Sequence, residues 1–254
     1  MSRDLALHRA DEFQSRFGHG VVRRRLRLST PLLAIGAAFL LTCGPAAART
    51  CKSDPDPGIN WQECNKSSLL LQGSELSGAN LFEVDFSSTD LRNSDLRSAN
   101  LEKATLVRAS LAGAQADGAN FARVEGYRTS LAGISAQGAS FAGAELQRAD
   151  FSGANLTGAD FEKAELGRAN FAEAVLTGTR FSLANLARAD LTGALFKGPI
   201  DFRNAFLYLT RIEGLDLTQA TGLVQWQVNL ACGDAKTMLP AGLKPSPDWP
   251  CTFD

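Results

Sequence analysis

The chain is nearly without histidine. Among its 254 residues there are two, His8 and His19, beside two tyrosines, two methionines and three tryptophans. Both histidines lie ahead of a candidate cleavage point after Ala48, so a chain processed there has none. That excludes Ser-His-Asp and Cys-His catalysis and any histidine-liganded metal. A charge excess of one sign is missing too: 26 Lys and Arg face 27 Asp and Glu. From Arg49 onward the balance is 19 basic against 24 acidic residues, a net charge of −5. A nucleic-acid partner calls for a strongly basic surface, so none is expected. Long apolar runs are absent as well. The stretch from Leu32 to Leu41 is short of the roughly 20 residues that span a membrane, so no stable span is expected once it is removed. No glycine loop of phosphate-cradling form occurs, and no cofactor or catalytic residue is expected: the sequence predicts a protein that is not an enzyme.

What the chain has instead is a period of five. From Leu71 to Phe196 a unit Ala-(Asp/Asn)-(Leu/Phe)-x-x recurs without insertion or deletion, as in Ala99-Asn100-Leu101, Ala149-Asp150-Phe151, Ala159-Asp160-Phe161 and Ala189-Asp190-Leu191. Of its 26 central positions all but three are Leu or Phe. Five fits neither a helix face nor an ordinary strand, so it describes a coiled backbone path. A second period of 20 lies over the first. Phe121, Phe141, Phe161 and Phe181 form one column after Leu81 and Leu101, and Phe151 and Phe171 form another with Leu131 and Leu191. Gly118, Gly138, Gly158, Gly178 and Gly198 make a column that predicts one glycine edge, because tight corners need positive φ.

These residues resemble the pentapeptide repeat family of bacterial proteins, over about half of the chain. The resemblance implies an all-β solenoid, a right-handed quadrilateral β-helix with four pentapeptides per coil. In it the central Leu or Phe and the preceding small residue point inward. The expected organisation is an N-terminal extension and signal peptide at 1–48, a cysteine-bearing cap at 49–70, the β-helix at 71–219, and a C-terminal helix and Pro-rich tail cap at 220–254. One extra residue at Gly198-Pro199 breaks the register over 198–201, and weaker units follow around Phe202, Leu207, Ile212 and Leu217. One level inside is underfilled: Ala116 and Ala136 share a column, with Gly126 and Tyr127 across from them. A pinch, bulge or cavity is expected there, or repacking against Phe121 and Phe141.

The ends point to export. Arg23, Arg24, Arg25 and Arg27 precede the apolar stretch, and Ala46-Ala47-Ala48 offers a small-residue cleavage site, so the mature protein is expected to be periplasmic or secreted. Removal of the signal leaves Cys51, Cys64, Cys232 and Cys251, which permit three pairings. The local one, Cys51 with Cys64 and Cys232 with Cys251, would staple each end. Leu223, Trp226 and Leu230 recur at helical spacing ahead of Gly233, and Ala231-Cys232-Gly233-Asp234 is similar to the termini of other pentapeptide repeat proteins.

The remaining signal is on the surface. Arg108, Arg128, Arg148, Arg168 and Arg188 recur at intervals of 20, with Glu125, Glu145 and Glu165 as an acidic column on the same face. Two readings are open: a surface of mutually compensating ion pairs, or an edge whose guanidinium groups fork onto an anionic partner. The function expected is an exported, non-catalytic scaffold or interaction module whose partner is a protein or anionic envelope ligand. The alternative implied by the family is a cytoplasmic mimic of duplex DNA that binds DNA gyrase. Three features depart from it: the export signal, the modest acidity and the arginine column.

Overall fold

The structure, a computed structural model, describes residues 50–252, all within a unit spanning Pro45–Asp254. The export segment and the cleavage point after Ala48 lie outside the described residues. Each five-residue unit is built around one β-turn. The inward residue's carbonyl accepts from the amide three residues on, as Leu96 O from Ala99 N at 3.0 Å and Leu166 O from Ala169 N at 2.9 Å. The turn's third residue has positive φ at every unit from Gly58 to Gly193, the mark of a type II turn.

The residue before each inward position forms a parallel bridge with its counterpart 20 residues on. Asn80 pairs with Asn100, Asn100 with Asn120, and so on to Val175 with Leu195. Four turns therefore complete one coil, and each coil hydrogen-bonds to the next. The bridges begin at Asn60 with Asn80, inside the segment 49–70, because Trp61 and Lys66 hold inward positions that do not read as Leu or Phe. The glycine edge is present, with Gly118, Gly138, Gly158 and Gly178 at φ 63–71°, and the other three corners are left-handed as well. Arg, Lys, Ser, Glu and Asn occupy many of them at φ near +55 to +60, as Lys103 at 58° and Arg168 at 61°. The coil path imposes the conformation, and glycine only relieves its cost, about 1–2 kcal/mol for other residues.

Two residues of each unit fill the interior. The phenylalanine columns stack almost face to face, with centroids 4.8 Å apart for Phe121–Phe141 and 4.6 Å for Phe141–Phe161. Neighbouring columns meet edge to face, as Phe151 and Phe161 at 5.5 Å and 89°. Where the small inner residue is threonine, its buried hydroxyl donates to a carbonyl of the coil before. Thr129 reaches Leu106 O at 2.6 Å and Thr179 reaches Leu156 O at 2.9 Å, so these hydroxyls are not stranded.

At the level of Ala116, Gly126 and Ala136 the backbone does not bulge. Gly126 N still donates to Glu145 O at 2.8 Å and Ala116 N to Ser135 O at 2.6 Å. Space at Gly126 is taken by its neighbours: a Cβ there would lie 2.6 Å from Leu146 Cδ2 and 2.9 Å from Thr129 Oγ1. Tyr127 is 38 % exposed on the outside.

After Leu195 the bridge interval becomes 21, as Arg180 with Asp201 and Asn185 with Phe206. Ile200, fully buried, stands two residues before the inward Phe202, where a small residue usually sits, and Phe196 is partly buried against the core. Strand β1, Ile200–Asp201, pairs in parallel with β2, Ala220–Thr221. Helix α1 covers Gln225–Leu230, but its buried residues are Gln227 and Val228, and Trp226 is 49 % exposed. The Leu223, Trp226, Leu230 spacing thus misplaces the inward face. The reason is polar: Gln227 Nε2 donates to Phe202 O at 2.8 Å and Ala205 O at 2.9 Å, carbonyls that a further coil would otherwise engage.

The four cysteines form Cys51–Cys64 and Cys232–Cys251, each with Cα atoms 5.4 Å apart. Near the second, Trp249 lies on Gly233, where a Cβ would meet its ring at 2.6 Å, and Trp249 Nε1 donates to Ala231 O at 2.6 Å. Near the first, the Lys66 ammonium sits 3.6 Å from the centroid of the Trp61 ring, inside the opening coil. Burial pulls the Lys66 pKa below the usual lysine value, against an opposing pull from Asp54.

Candidate interaction surface

Each arginine of the sequence column is the third residue of a turn, with φ from 58° to 61° across Arg108, Arg128, Arg148, Arg168 and Arg188. Coil stacking fixes their succession. Arg108 N donates to Tyr127 O, Arg128 N to Gln147 O, Arg148 N to Gly167 O, Arg168 N to Ala187 O and Arg188 N to Tyr208 O, at 2.8–3.1 Å. All five side chains are exposed. With coils about 4.8 Å apart, the column is roughly 19 Å from first to last.

None of the five is in an ion pair among the described residues, whereas Arg92, Arg97, Arg123, Arg180, Arg203 and Arg211 all are. The reading of mutual compensation with Glu125, Glu145 and Glu165 is therefore not what the structure holds. The backbones of those residues pair in parallel bridges, Glu125 with Glu145 and Glu145 with Glu165, and the Glu165 carboxylate Oε2 accepts from Asn185 Nδ2 at 2.8 Å. Within the column, Arg128 lies over the Tyr127 ring, 5.2 Å from its centroid.

The neighbouring corner is built differently. There Glu83, Lys103, Arg123 and Lys163 occupy the same turn position, and their charges close on one another or on adjacent acids. Lys103 Nζ lies 2.9 Å from Glu83, Arg123 pairs with Glu102, and Lys163 lies 3.6 Å from Glu162. Elsewhere, Arg92 and Arg97 each grip the aspartate two residues before, and these guanidinium groups hold the Asp90 and Asp95 carboxyls below the usual range.

One feature of the arginine face is not visible from the period alone. Phe206 and Tyr208, each 44 % exposed, stack at 6.2 Å and 13° just beyond Arg188. The extra residue at the register break moves them onto this face: Phe206 follows Asn185 in the bridges, and Tyr208 follows Ala187 as acceptor from the column. Only counting the insertion into the frame would have found them.

Among the described residues no cluster of three or more His, Cys, Asp or Glu side chains could hold a metal ion, and no helix is long and apolar enough to cross a membrane. The fold and its surface define a class, a four-sided β-solenoid with a disulfide near each end. The chain belongs to the pentapeptide repeat family: the family model for pentapeptide repeats matches eight copies over residues 67–97, 94–124, 127–162 and 164–198. Membership implies a right-handed quadrilateral β-helix, and the 20-residue bridge interval is the period of such a coil. Proteins of this family are generally non-enzymatic interaction scaffolds.

Among solved structures, the chain is similar to HetL, a pentapeptide repeat protein involved in heterocyst differentiation regulation in the cyanobacterium Nostoc. Identity is 28 %, over 76 % of this chain and 94 % of that one, with a TM-score of 0.40. A pentapeptide repeat protein of the Arabidopsis thaliana thylakoid lumen is 27 % identical over 52 % of this chain and 80 % of its own, with a TM-score of 0.26. QnrB1, a plasmid-mediated fluoroquinolone resistance protein, is 19 % identical over 66 % and 90 %, with a TM-score of 0.42. Among curated proteins none matches.

Proposed function

We propose that the protein is an exported, non-catalytic scaffold that presents its arginine column to an anionic partner of the cell envelope. The observation that carries this is the column itself: five exposed guanidinium groups of one sign, in register, without a carboxylate partner among the described residues. In water such like charges repel, and an external anion is the partner that relieves them. Export is supported by the basic and apolar segment at 21–48 and by the two disulfides, which belong to an oxidising compartment. Segments 49–70 and 220–254 act as caps on the coil stack. They cover strand edges that would otherwise invite association, with Gln227 and the Cys232–Cys251 bond at one end and Lys66, Trp61 and Cys51–Cys64 at the other.

Two measurements test this. Intact mass and N-terminal sequencing of the protein from fractionated host cells should give a periplasmic or secreted species beginning at Arg49, four hydrogens lighter than the reduced chain. A full-length cytoplasmic species with free thiols removes the export reading. Replacement of Arg128, Arg148 and Arg168 by Gln should then abolish retention on anionic envelope material, and unchanged retention removes the arginine column. The purified protein is expected to leave gyrase supercoiling unaffected, since a duplex mimic needs acidic charge where this edge is basic.

A further inference from the structure

We infer that the arginine column binds a linear acidic polysaccharide, one carboxylate per sugar, laid along the coil axis. The inference deepens the proposed function and rests on the column being its partner surface.

The spacing comes first. Coil stacking sets one arginine about every 4.8 Å, and a pyranose residue in an extended chain is close to that length. Each successive carboxylate then meets a successive guanidinium without bending either partner. Phosphates on one strand of a duplex advance about 3.4 Å per residue along the helix axis, which is out of step with the coils.

The width of the partner comes next. Glu125, Glu145 and Glu165 are exposed on the same face, so a broad acidic surface placed there would meet repulsion on one side of the column. Asp150 and Asp190, past the corner, are already engaged. Asp150 accepts from Asn170 Nδ2 at 3.0 Å, and Asp190 pairs with Arg211 at 2.9 Å. A single chain following one column avoids the exposed carboxylates, and a duplex or a globular acidic domain does not.

The chemistry of the ends selects sugar over other polyanions. The residues whose carbonyls accept from the column run Tyr127, Gln147, Gly167, Ala187, Tyr208, so exposed tyrosines stand beside Arg128 and just beyond Arg188, with small or neutral residues between. Phe206 stacks on Tyr208 and enlarges the platform at the second end. The C–H face of a pyranose lies well on such a ring, and a phosphate chain has nothing to place there. Finally, these arginines occupy left-handed positions where glycine fits at lower cost and where the protein does use glycine on another edge. Five arginines held there, without a carboxylate partner among the described residues, are explained by a ligand and not by the fold.

The test uses the purified, disulfide-bonded chain and calorimetry with galacturonic acid oligomers of increasing length, with inorganic polyphosphate as the comparison. Monomer should give no measurable heat. Affinity should climb with each added sugar and level off once the oligomer spans the column, as expected for multivalent contact. Arg148→Gln should weaken the long oligomer about tenfold, the loss of one charge-assisted hydrogen-bonded pair. Arg148→Gly should weaken it equally while raising the unfolding midpoint, which separates lost binding from lost folding. Tyr208→Ala should weaken the oligomer and leave polyphosphate unchanged. Equal affinity for polyphosphate and polyuronate at every length, or no dependence on length, overturns the polysaccharide while leaving an anion-binding column. Failure of both anions to bind overturns the column as well, and the N-terminal and mass measurement still decides export by itself.

Discussion

Two corners of the same coil stack share a backbone and differ in everything outside it. At the corner of Glu83, Lys103, Arg123 and Lys163 charge alternates or is answered by an adjacent acid; at the corner of Arg108 to Arg188 it is single-signed and unanswered. Both hold residues at φ near +55 to +60, both donate their amides to the next coil, and both lie above the same apolar interior. The fold therefore does not need the charge pattern of either. The mixed corner shows what a solvated, self-compensated edge looks like in this protein, and the arginine corner stands out against that internal control.

The largest effect should come from removing what both corners share. Phe161 is fully buried, stacked between Phe141 and Phe181 and edge-on to Phe151 and Phe171. Phe161→Ala should cost about 3–5 kcal/mol, read as a lower midpoint in urea, with both corners losing amide protection together. If one corner stays protected while the other opens, the coils do not behave as a common support and the comparison fails. Loss of the Cys232–Cys251 bond, by Cys251→Ser, should cost about 2–4 kcal/mol. Exchange should then rise first in the coils after Ile200 and spread least to Arg108.

A smaller effect separates the faces. Gly126→Ala places a methyl against Leu146 beneath the arginine face and should cost about 1–3 kcal/mol through overpacking. Gly143→Ala, at the mixed corner, introduces a left-handed alanine without a close contact apart from Arg123 Cγ at 3.6 Å and should cost about 1 kcal/mol. Smaller again is the contrast between Arg148→Gly and Lys103→Gly. Each relieves a left-handed side chain by about 1 kcal/mol. Only the second gives up an ion pair, with Glu83, worth about 0–1 kcal/mol at this exposure. Arg148→Gly should thus be the more stabilising of the two in thermal unfolding at low salt, and the difference should shrink as salt is added.

How much of this could be read beforehand depends on whether a feature belongs to the period. The inward Leu and Phe, the stacking at 20 and the arginine column are all periodic, and the columns of Phe121 and Phe151 stand in the structure as they do on the page. The left-handed corners were legible only at glycine, because Arg, Ser and Lys carry no sign of positive φ in their chemistry; the path imposes it. Gly126 reads as an empty place in a column, but a column count cannot show that Leu146 leans into it from the next coil. Lys66 hides the opening coil because a lysine at an inward position breaks the pattern, although its ammonium finds the Trp61 face. Gln227 is buried for its hydrogen bonds, so apolar spacing selected the wrong side of α1.

The smallest effect is also the one that tests the comparison by pH. Asp95 is gripped by Arg97 and Asp90 by Arg92, so both carboxyls titrate below their ordinary value of 3.8 in the folded chain. Unfolded, they bind protons more readily, so the stability they lend is complete above 3.8 and is lost as pH falls through that value toward the folded one. Arg97→Gln removes the donor, brings the folded value of Asp95 back toward the unfolded one, and should flatten the acid limb of the thermal midpoint. Arg148→Gln removes a guanidinium of the same charge that grips no carboxylate, so its acid limb should follow that of the parent protein. A matching loss of the acid limb in Arg148→Gln would mean that the column does hold a carboxylate in solution, and the two corners would then differ in degree and not in kind.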